Sequence, residues 1–587
     1  MKRFTVFTLA VCTMASGYCI ESDDIRALNR LDAVQQQLQQ QQAQYRAQRF
    51  NPGTEINNVV RSEDLGFPSG ERPCYVIRQI RLQDYAPAAD HSLFLTPSRF
   101  SSELQHSLKD FGIKLPYCFG AEGIGVLLKG VQNRIIAAGY ITTRIVIPEQ
   151  DLKRGELLFT LIPGKIGNIK VEDRSRVARF TPLTLLTATA FKRGDLLNIR
   201  HIEQSLENLK RLPTADANIE ILPSEGKNAA VGESDLKITY AQAFPFRLNL
   251  GLEDSGSKST GKWQGAITLF ADNLFSANDL FYTAFTHSIK RRSDEKGTRS
   301  AKNLSFYYSV PFGYWALTAY HSDNRYRQEV FSSPGNSYIY SGASETDKLA
   351  LSYLFYRDGS RRASISAALW SRQSANYIDD SEIEVQRRRM AGWEAGITYK
   401  EYLADATLEL NLSYKRGTGV RGSLPAPEEM RNEGSSRPRI ISAAVSLKQP
   451  FSIGAQPWQF YTAWTAQWNL SALILQDRFS LGGRYSVRGF DGELSLYGER
   501  GWLWRNELAW NPHGKSSLYF ALDGGLVRGR LSPAVPTGQR YLIGTAAGVR
   551  GGWKGFYYDF FIGTPLSKPK GFKTSYGVTG FNLGYSF

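Results

Sequence analysis

The chain ends in unbroken alternation. Phe581, Leu583, Tyr585 and Phe587 interleave with Gly580, Asn582, Gly584 and Ser586. Side chains of a strand point to opposite faces with period two, so this segment has one apolar face and one small or polar face. Everything beyond residue 244 repeats the pattern in pieces of about ten residues. About sixteen pieces can be placed, beginning near residues 246, 262, 279, 303, 314, 337, 361, 388, 405, 437, 456, 499, 517, 540, 554 and 575. No stretch after the N-terminal one carries 18 or more consecutive apolar residues, so a transmembrane helix is not available. Aromatics are 12% of the chain and glycines number 53, concentrated in this second half. An even number of short amphipathic strands with an aromatic C-terminus predicts a mainly β protein, a sixteen-stranded transmembrane barrel over 242–587. A soluble sandwich is the alternative. The connections argue against it, because the charged loop after Ser288 and the loop over 417–436 are long while others are tight.

The N-terminus gives the destination. Met-Lys-Arg, an apolar stretch from Phe4 to Ala15 and the small residues Ala15-Ser16-Gly17 read as a secretory signal peptide over 1–17. Residues 21–49 then form a polar helix with acids first and arginines last, as the helix dipole prefers. Ile25, Leu28, Leu31, Val34 and Leu38 make one thin apolar stripe on it. It reads either as a solvated helix or weak coiled coil, or as a helix lodged in a water-filled pore. Residues 50–72 lack any period and read as a linker. Two mixed α/β modules follow, over 73–163 and 164–241, each with an amphipathic helix and flanking strands. The formal charge of +16 is spread over loops and not gathered on a recognised module, which argues against nucleic acid. Basic loops such as KRRSDEKGTRSAK suit anionic lipid head groups better.

Enzymatic chemistry finds little support, and no catalytic residues, metal or cofactor are expected. The six histidines are isolated and make no HExxH pair, and no GxSxG elbow exists. GSKSTGK, at 256–262, approaches a phosphate-binding loop, but Trp263 stands where Ser or Thr is required and the segment joins two strands. A hairpin turn is predicted. Cys74 and Cys118 are the cysteines within the folded part. In an oxidising compartment they read as a structural disulfide and not as a metal site, which wants three or four ligands.

One stretch fits neither period: GGRYSVRGFDGE, at 482–493. Glycine permits positive φ and close backbone approach, so Val487-Arg488-Gly489-Phe490 reads as a tight turn that aims an arginine. This motif, with RIIAAGYITTRIVIPEQDLKRGELLFTLIPGKIGNI, GDLLNIRHIEQSLENLKRLPTADANIEILPSE, GESDLKI, the first-hairpin segment SGSKSTGKWQGAITLFADNLFSANDLF, RNEL and GTPLSKP, resembles the two-partner secretion transporters, the TpsB family of the BamA-like superfamily. Its paired cysteines are closer to the ShlB and CdiB types than to FhaC. The resemblance covers the mature chain and implies two POTRA domains, a plug helix in the pore over 21–49, and an outer-membrane location with the POTRA domains in the periplasm. It further implies that the Val-Arg-Gly-Phe loop folds into the lumen, where Arg488 meets Asp523 of SLYFALDGG. Ala521 departs from the Gly or Phe the family prefers two residues before that Asp. The implied partners are a secreted exoprotein docking on the POTRA domains, membrane lipid and lipopolysaccharide, and the barrel-assembly machinery reading Phe581, Leu583, Tyr585 and Phe587. The protein is expected to act as a monomer and not to bind nucleic acid. The alternative function is a BamA-type insertase.

Overall fold

The computed structural model describes residues 11–12, 19–20, 66–85, 99–224, 230–290, 298–333, 336–512, 514–530 and 540–587. The helix predicted with Ile25, Leu28, Leu31, Val34 and Leu38 lies outside them, as do most of the leader and most of the basic loop 290–302.

The first α/β domain holds helices α1 (Ser101–Asp110) and α2 (Ala121–Ala137) against a three-stranded sheet. In that sheet Gln79–Asp84 runs parallel to Glu156–Ile162, which pairs antiparallel with Arg144–Val146. Leu127, Val131 and Ile135 repeat at helical spacing and pack, fully or almost fully buried, on Ile80, Phe159 and Leu161 of the strands. Cys74 and Cys118 are bonded, with Cα atoms 5.4 Å apart, beside the pairing of Tyr75–Ile77 with Tyr117–Phe119.

The linker reading fails at its end. Phe67 packs against Phe111 with the rings tilted and their centroids 5.4 Å apart, and the Glu71 carboxylate accepts from the N–H groups of Gly120 and Gly123 at 3.0 Å. Those are orphan donors at the start of α2, where a carboxylate also opposes the positive end of the helix dipole. Residues 66–72 therefore belong to the first domain.

The second domain carries helices α3 (Pro182–Ala188) and α4 (Ile199–Lys210) on a sheet in which Glu233–Gln242 lies between Lys165–Asp173 and Ala215–Pro223. Thr181 caps α3 in a reciprocal capping box with Thr184, and Asn198 caps α4. Helices α1 and α3 and the strand Glu156–Ile162 were not placed by periodicity. The chain breaks between the strands Tyr75–Ile77 and Gln79–Asp84 at Arg78, whose N–H turns to the Gly155 carbonyl at 2.7 Å.

The barrel strands are β1 (Phe246–Glu253), β2 (Gln264–Asp272), β3 (Leu280–Ser288), β4 (Ser300–Phe312), β5 (Trp315–Ser333), β6 (Asn336–Arg357), β7 (Arg361–Ile378) and β8 (Arg388–Leu403). They continue as β9 (Ala406–Thr418), β10 (Arg439–Ile453), β11 (Gln456–Asn469), β12 (Arg500–Trp510), β13 (Ser516–Arg528), β14 (Tyr541–Trp553), β15 (Phe556–Ser567) and β16 (Val578–Ser586). Neighbours pair antiparallel around the ring and β16 closes on β1, so sixteen strands leave no sheet edge. The closing pairing is short, five residue pairs from Asn249↔Ser586 to Glu253↔Asn582.

The two ends differ. The second domain sits on the end with tight turns: Gly313 N–H donates to the Thr187 carbonyl at 3.0 Å, and Asn278 Nδ2 to the Thr184 carbonyl at 2.8 Å. Arg357 Nη1 reaches Glu207 Oε2 at 2.9 Å, and Arg362 Nη2 reaches Glu207 Oε1 at 2.7 Å. Long connections, 419–438 and 470–499 among them, lie at the other end.

Candidate functional site in the barrel lumen

The connection 470–499 does not stay outside. Asp477 anchors its descending limb on the far wall, accepting from Arg372 Nη2 at 3.0 Å and Lys415 Nζ at 3.3 Å. A short hairpin then pairs Phe479–Leu481 with Leu496–Gly498, and its tip carries the Val-Arg-Gly-Phe turn. Val487 and Phe490, with 0% and 2% of their surface exposed, pack with Leu481, Leu496, Val527, Leu542 and Phe572. An apolar core thus seats a loop whose central residue is charged.

Arg488 is buried to 8% exposure and its partners are all on the inner wall. Nε donates to Asp523 Oδ2 at 2.7 Å and Nη2 to Oδ1 at 2.8 Å, a bidentate pair; the Arg488 backbone N–H also reaches Oδ2, at 3.0 Å. Asp523 belongs to β13, where Tyr519, Ala521 and Asp523 are buried while Leu518, Phe520 and Leu522 are exposed. Sequence reasoning missed the second carboxylate. Arg488 Nη1 reaches Glu507 Oε2 on β12 at 2.6 Å, and Glu507 is shared with Arg550 of β14. Arg550 lies 4.8 Å over the Tyr519 ring, and Tyr519 OH donates to Asp559 of β15 at 2.9 Å. Arg505 Nε also lies 3.8 Å from Asp523 Oδ2, so three arginines balance Asp523 and Glu507, which a buried charge requires to stay charged.

Glycines make the close approach possible. Gly489 has φ +98°, and a Cβ there would come within 2.9 Å of the Thr545 carbonyl oxygen. A Cβ on Gly544 of β14 would meet the Phe490 ring at 3.2 Å, and one on Gly563 of β15 would meet Gly489 Cα at 2.9 Å. The turn lies flat on a wall cleared of side chains. The signal was in the sequence as glycines at inward-facing strand positions, but nothing there pairs them with the loop.

The loop also grips the closing strands. Arg484 forms an ion pair with Asp254, just past β1, and donates to the Phe581 carbonyl at 3.3 Å. Lys258, in the turn between β1 and β2 that 256–262 provides, donates its backbone N–H to Glu493 at 3.0 Å. At the C-terminus Tyr585 and Phe587 meet edge-to-face with ring centroids 4.6 Å apart, and Phe581 meets Trp263 edge-on at 5.6 Å. A Ser/Asp/His set does occur on the wall: Ser371 Oγ donates to Asp347 at 2.9 Å and His321 Nδ1 lies 2.8 Å from the same carboxylate. Its hydroxyl is bonded to the carboxylate and not to the imidazole, so the base of a hydrolase triad is not engaged.

A closed barrel with a loop bonded to its inner wall and two small α/β domains before it is a specific combination. The family model described as haemolysin secretion/activation protein ShlB/FhaC/HecB matches residues 232–551. The chain belongs to that family. Two POTRA models match alongside it, the ShlB-type at 101–164 and a second at 165–223. Among ShlB/FhaC/HecB relatives, the outer membrane transporter CdiB-2 of Burkholderia pseudomallei is 31% identical over 595 residues, covering 99% of this chain and 98% of its own. The hemolysin transporter protein ShlB of Serratia marcescens is 25% identical over 392 residues, 67% of each chain. The solved structure of CdiB from Acinetobacter baumannii superposes with a TM-score of 0.82 at 30% identity, covering 97% of this chain and 100% of that one. This ShlB/FhaC/HecB member is therefore an outer-membrane transporter of the two-partner secretion type, with its POTRA domains on the periplasmic side.

Proposed function

We propose that the barrel exports one large exoprotein of the haemolysin, contact-dependent-inhibition toxin or adhesin type, and that the Arg488 turn is the gate it must displace. The observation carrying this reading is the Arg488–Asp523–Glu507 cluster, which holds a loop across the lumen by charge pairs that can be exchanged without unfolding a strand. The cargo arrives unfolded in the periplasm and its N-terminal region docks on the POTRA domains. Lys165–Asp173 and Ala215–Pro223 are edge strands of the second POTRA sheet, and an extended segment can add to such an edge by backbone hydrogen bonds. The helix over 21–49 leaves the pore, the loop shifts, and folding of the cargo outside removes it from the exchange. No nucleotide is needed for that drive. The leader over 1–17 directs export, and the Phe581–Leu583–Tyr585–Phe587 face presents the chain to the barrel-assembly machinery. Cys74–Cys118 braces the first POTRA domain, and the transporter works as a monomer surrounded by lipopolysaccharide.

The test is co-expression with any very long secreted β-helix-type protein whose reading frame neighbours this one. That protein should reach the medium or cell surface with the intact transporter and stay in the periplasm when residues 66–242 are deleted. Export by the deleted form would overturn POTRA docking. Loss of other barrels from the membrane on depletion of this protein would instead favour the insertase.

A further inference from the structure

The outward face of the barrel carries like charges where strands normally avoid them. Lys302 of β4 sits directly opposite Arg325 of β5, Arg416 of β9 opposite Arg439 of β10, and Arg500 of β12 opposite Arg528 of β13. All six are exposed. Directly opposed side chains lie about 5 Å apart at Cβ, and like charges there are destabilising. Each residue follows the outward apolar run of its own strand at the end away from the POTRA domains. Lys302 comes two positions beyond the exposed Leu304, Arg416 four beyond Leu412, and Arg528 six beyond Leu522, while Arg500 comes two before Trp502. The six charges therefore stand on one rim, above the apolar band and its Trp and Tyr residues, at the height of lipid head groups. Arg325 has an acid beside it, Asp323, at 2.9 Å. None of the other five forms an ion pair among the described residues. The opposite rim is built differently: there Arg361 faces Glu401 directly across β7 and β8.

We propose that this rim is a binding girdle for the phosphate groups of the outer-leaflet glycolipid, lipopolysaccharide. An arginine pair on neighbouring strands presents two planar forks to one phosphate, the geometry for which guanidinium is suited. A bound anion turns an unfavourable pair into a bridged one, and the acyl chains then lie on the apolar surface below. The inference rests on the transporter reading only through the membrane it places around the barrel.

The experiment uses full-length protein extracted from outer membranes. Lipopolysaccharide retained per barrel is measured by native mass spectrometry for wild type, for R416Q/R439Q/R500Q/R528Q, and for R361Q as the control on the other rim. Each surface cation contributes about fivefold to association with an anionic membrane, so the quadruple variant should retain at least about tenfold less lipid. R361Q should match wild type, and lipid A stripped of its phosphates should not rebind. Equal retention by the quadruple variant, or equal rebinding of dephosphorylated lipid A, overturns the proposal. Displacement of the lipid by millimolar inorganic phosphate alone overturns the commitment to a lipid, since it would mean that free phosphate suffices. If the quadruple variant fails to insert, R416Q/R439Q and R500Q/R528Q are measured separately, each expected to retain intermediate amounts. Secretion of the cargo is scored independently, so a negative lipid result leaves the transport reading standing.

Discussion

Arg488 faces two carboxylates, and the two ways of breaking the cluster are not equivalent. Arg488→Ala strips both Asp523 and Glu507 of their shared cation. Asp523→Ala leaves Arg488 bonded to Glu507. Removing one member of a fully buried pair costs about 3–5 kcal/mol, and a hydrated lumen lowers that figure. Both variants should keep a heat-modifiable barrel in the membrane and lose secretion, with Arg488→Ala the more severe; normal secretion by both would remove the turn from the mechanism. In the second POTRA domain, the Asn168 N–H holds the Asp235 carboxyl below the ordinary carboxylate range, against the opposing effect of burial and with help from Ser224 and Lys170. A depressed carboxylate stabilises above its unfolded pKa of about 4 and loses that contribution as pH falls through the lower folded value. Protection of 165–173 from hydrogen exchange, taken relative to the intrinsic rate at each pH, should therefore fall below about pH 4 in wild type, and Asp235→Asn should be less protected at neutral pH with a flatter acid response. Equal pH profiles would remove Asp235 from the account. At this scale the sequence was partly readable. Arg488 and Asp523 came from a motif, whereas Glu507 and Arg550 are ordinary wall charges until the loop is seen to lie between them.

Between elements, the joint of α4 with the turn from β6 to β7 stands out. Arg357, with 2% of its side chain exposed, spans Glu203 and Glu207, and Arg362 shares Glu207. Glu207→Ala removes the carboxylate that Arg357 and Arg362 share and leaves Arg357 on Glu203, a loss of up to about 3–5 kcal/mol if burial is complete. The expected outcome is faster hydrogen exchange in α4 and reduced secretion, with barrel heat-modifiability intact. Unchanged exchange would show that the turn hydrogen bonds suffice to hold the domain. The barrel strands were legible because period two survives over long segments. Helix α3, at seven residues, is shorter than the windows in which helical periodicity can be recognised, and α1 is short and mostly polar. The capping role of Glu71 depends on a helix start about fifty residues away, which no local pattern encodes.

For the whole molecule, the order of parts followed from composition and period, but which parts touch did not. Deleting residues 21–49 should raise single-channel conductance in a planar bilayer, because a polar helix would otherwise fill the pore; unchanged conductance with correct insertion would return that segment to a solvated helix. One further consequence lies in the closing pairing. Its partners come from opposite ends of the barrel sequence and share five residue pairs. Bringing such distant segments together costs loop entropy that few hydrogen bonds repay, so the ring should shut late, after the local hairpins have formed. Until then β1 and β16 are bare templates on which another copy could zip. The time a newly exported chain spends as an open ribbon, not the stability of the finished ring, should set how much of it is lost to aggregation.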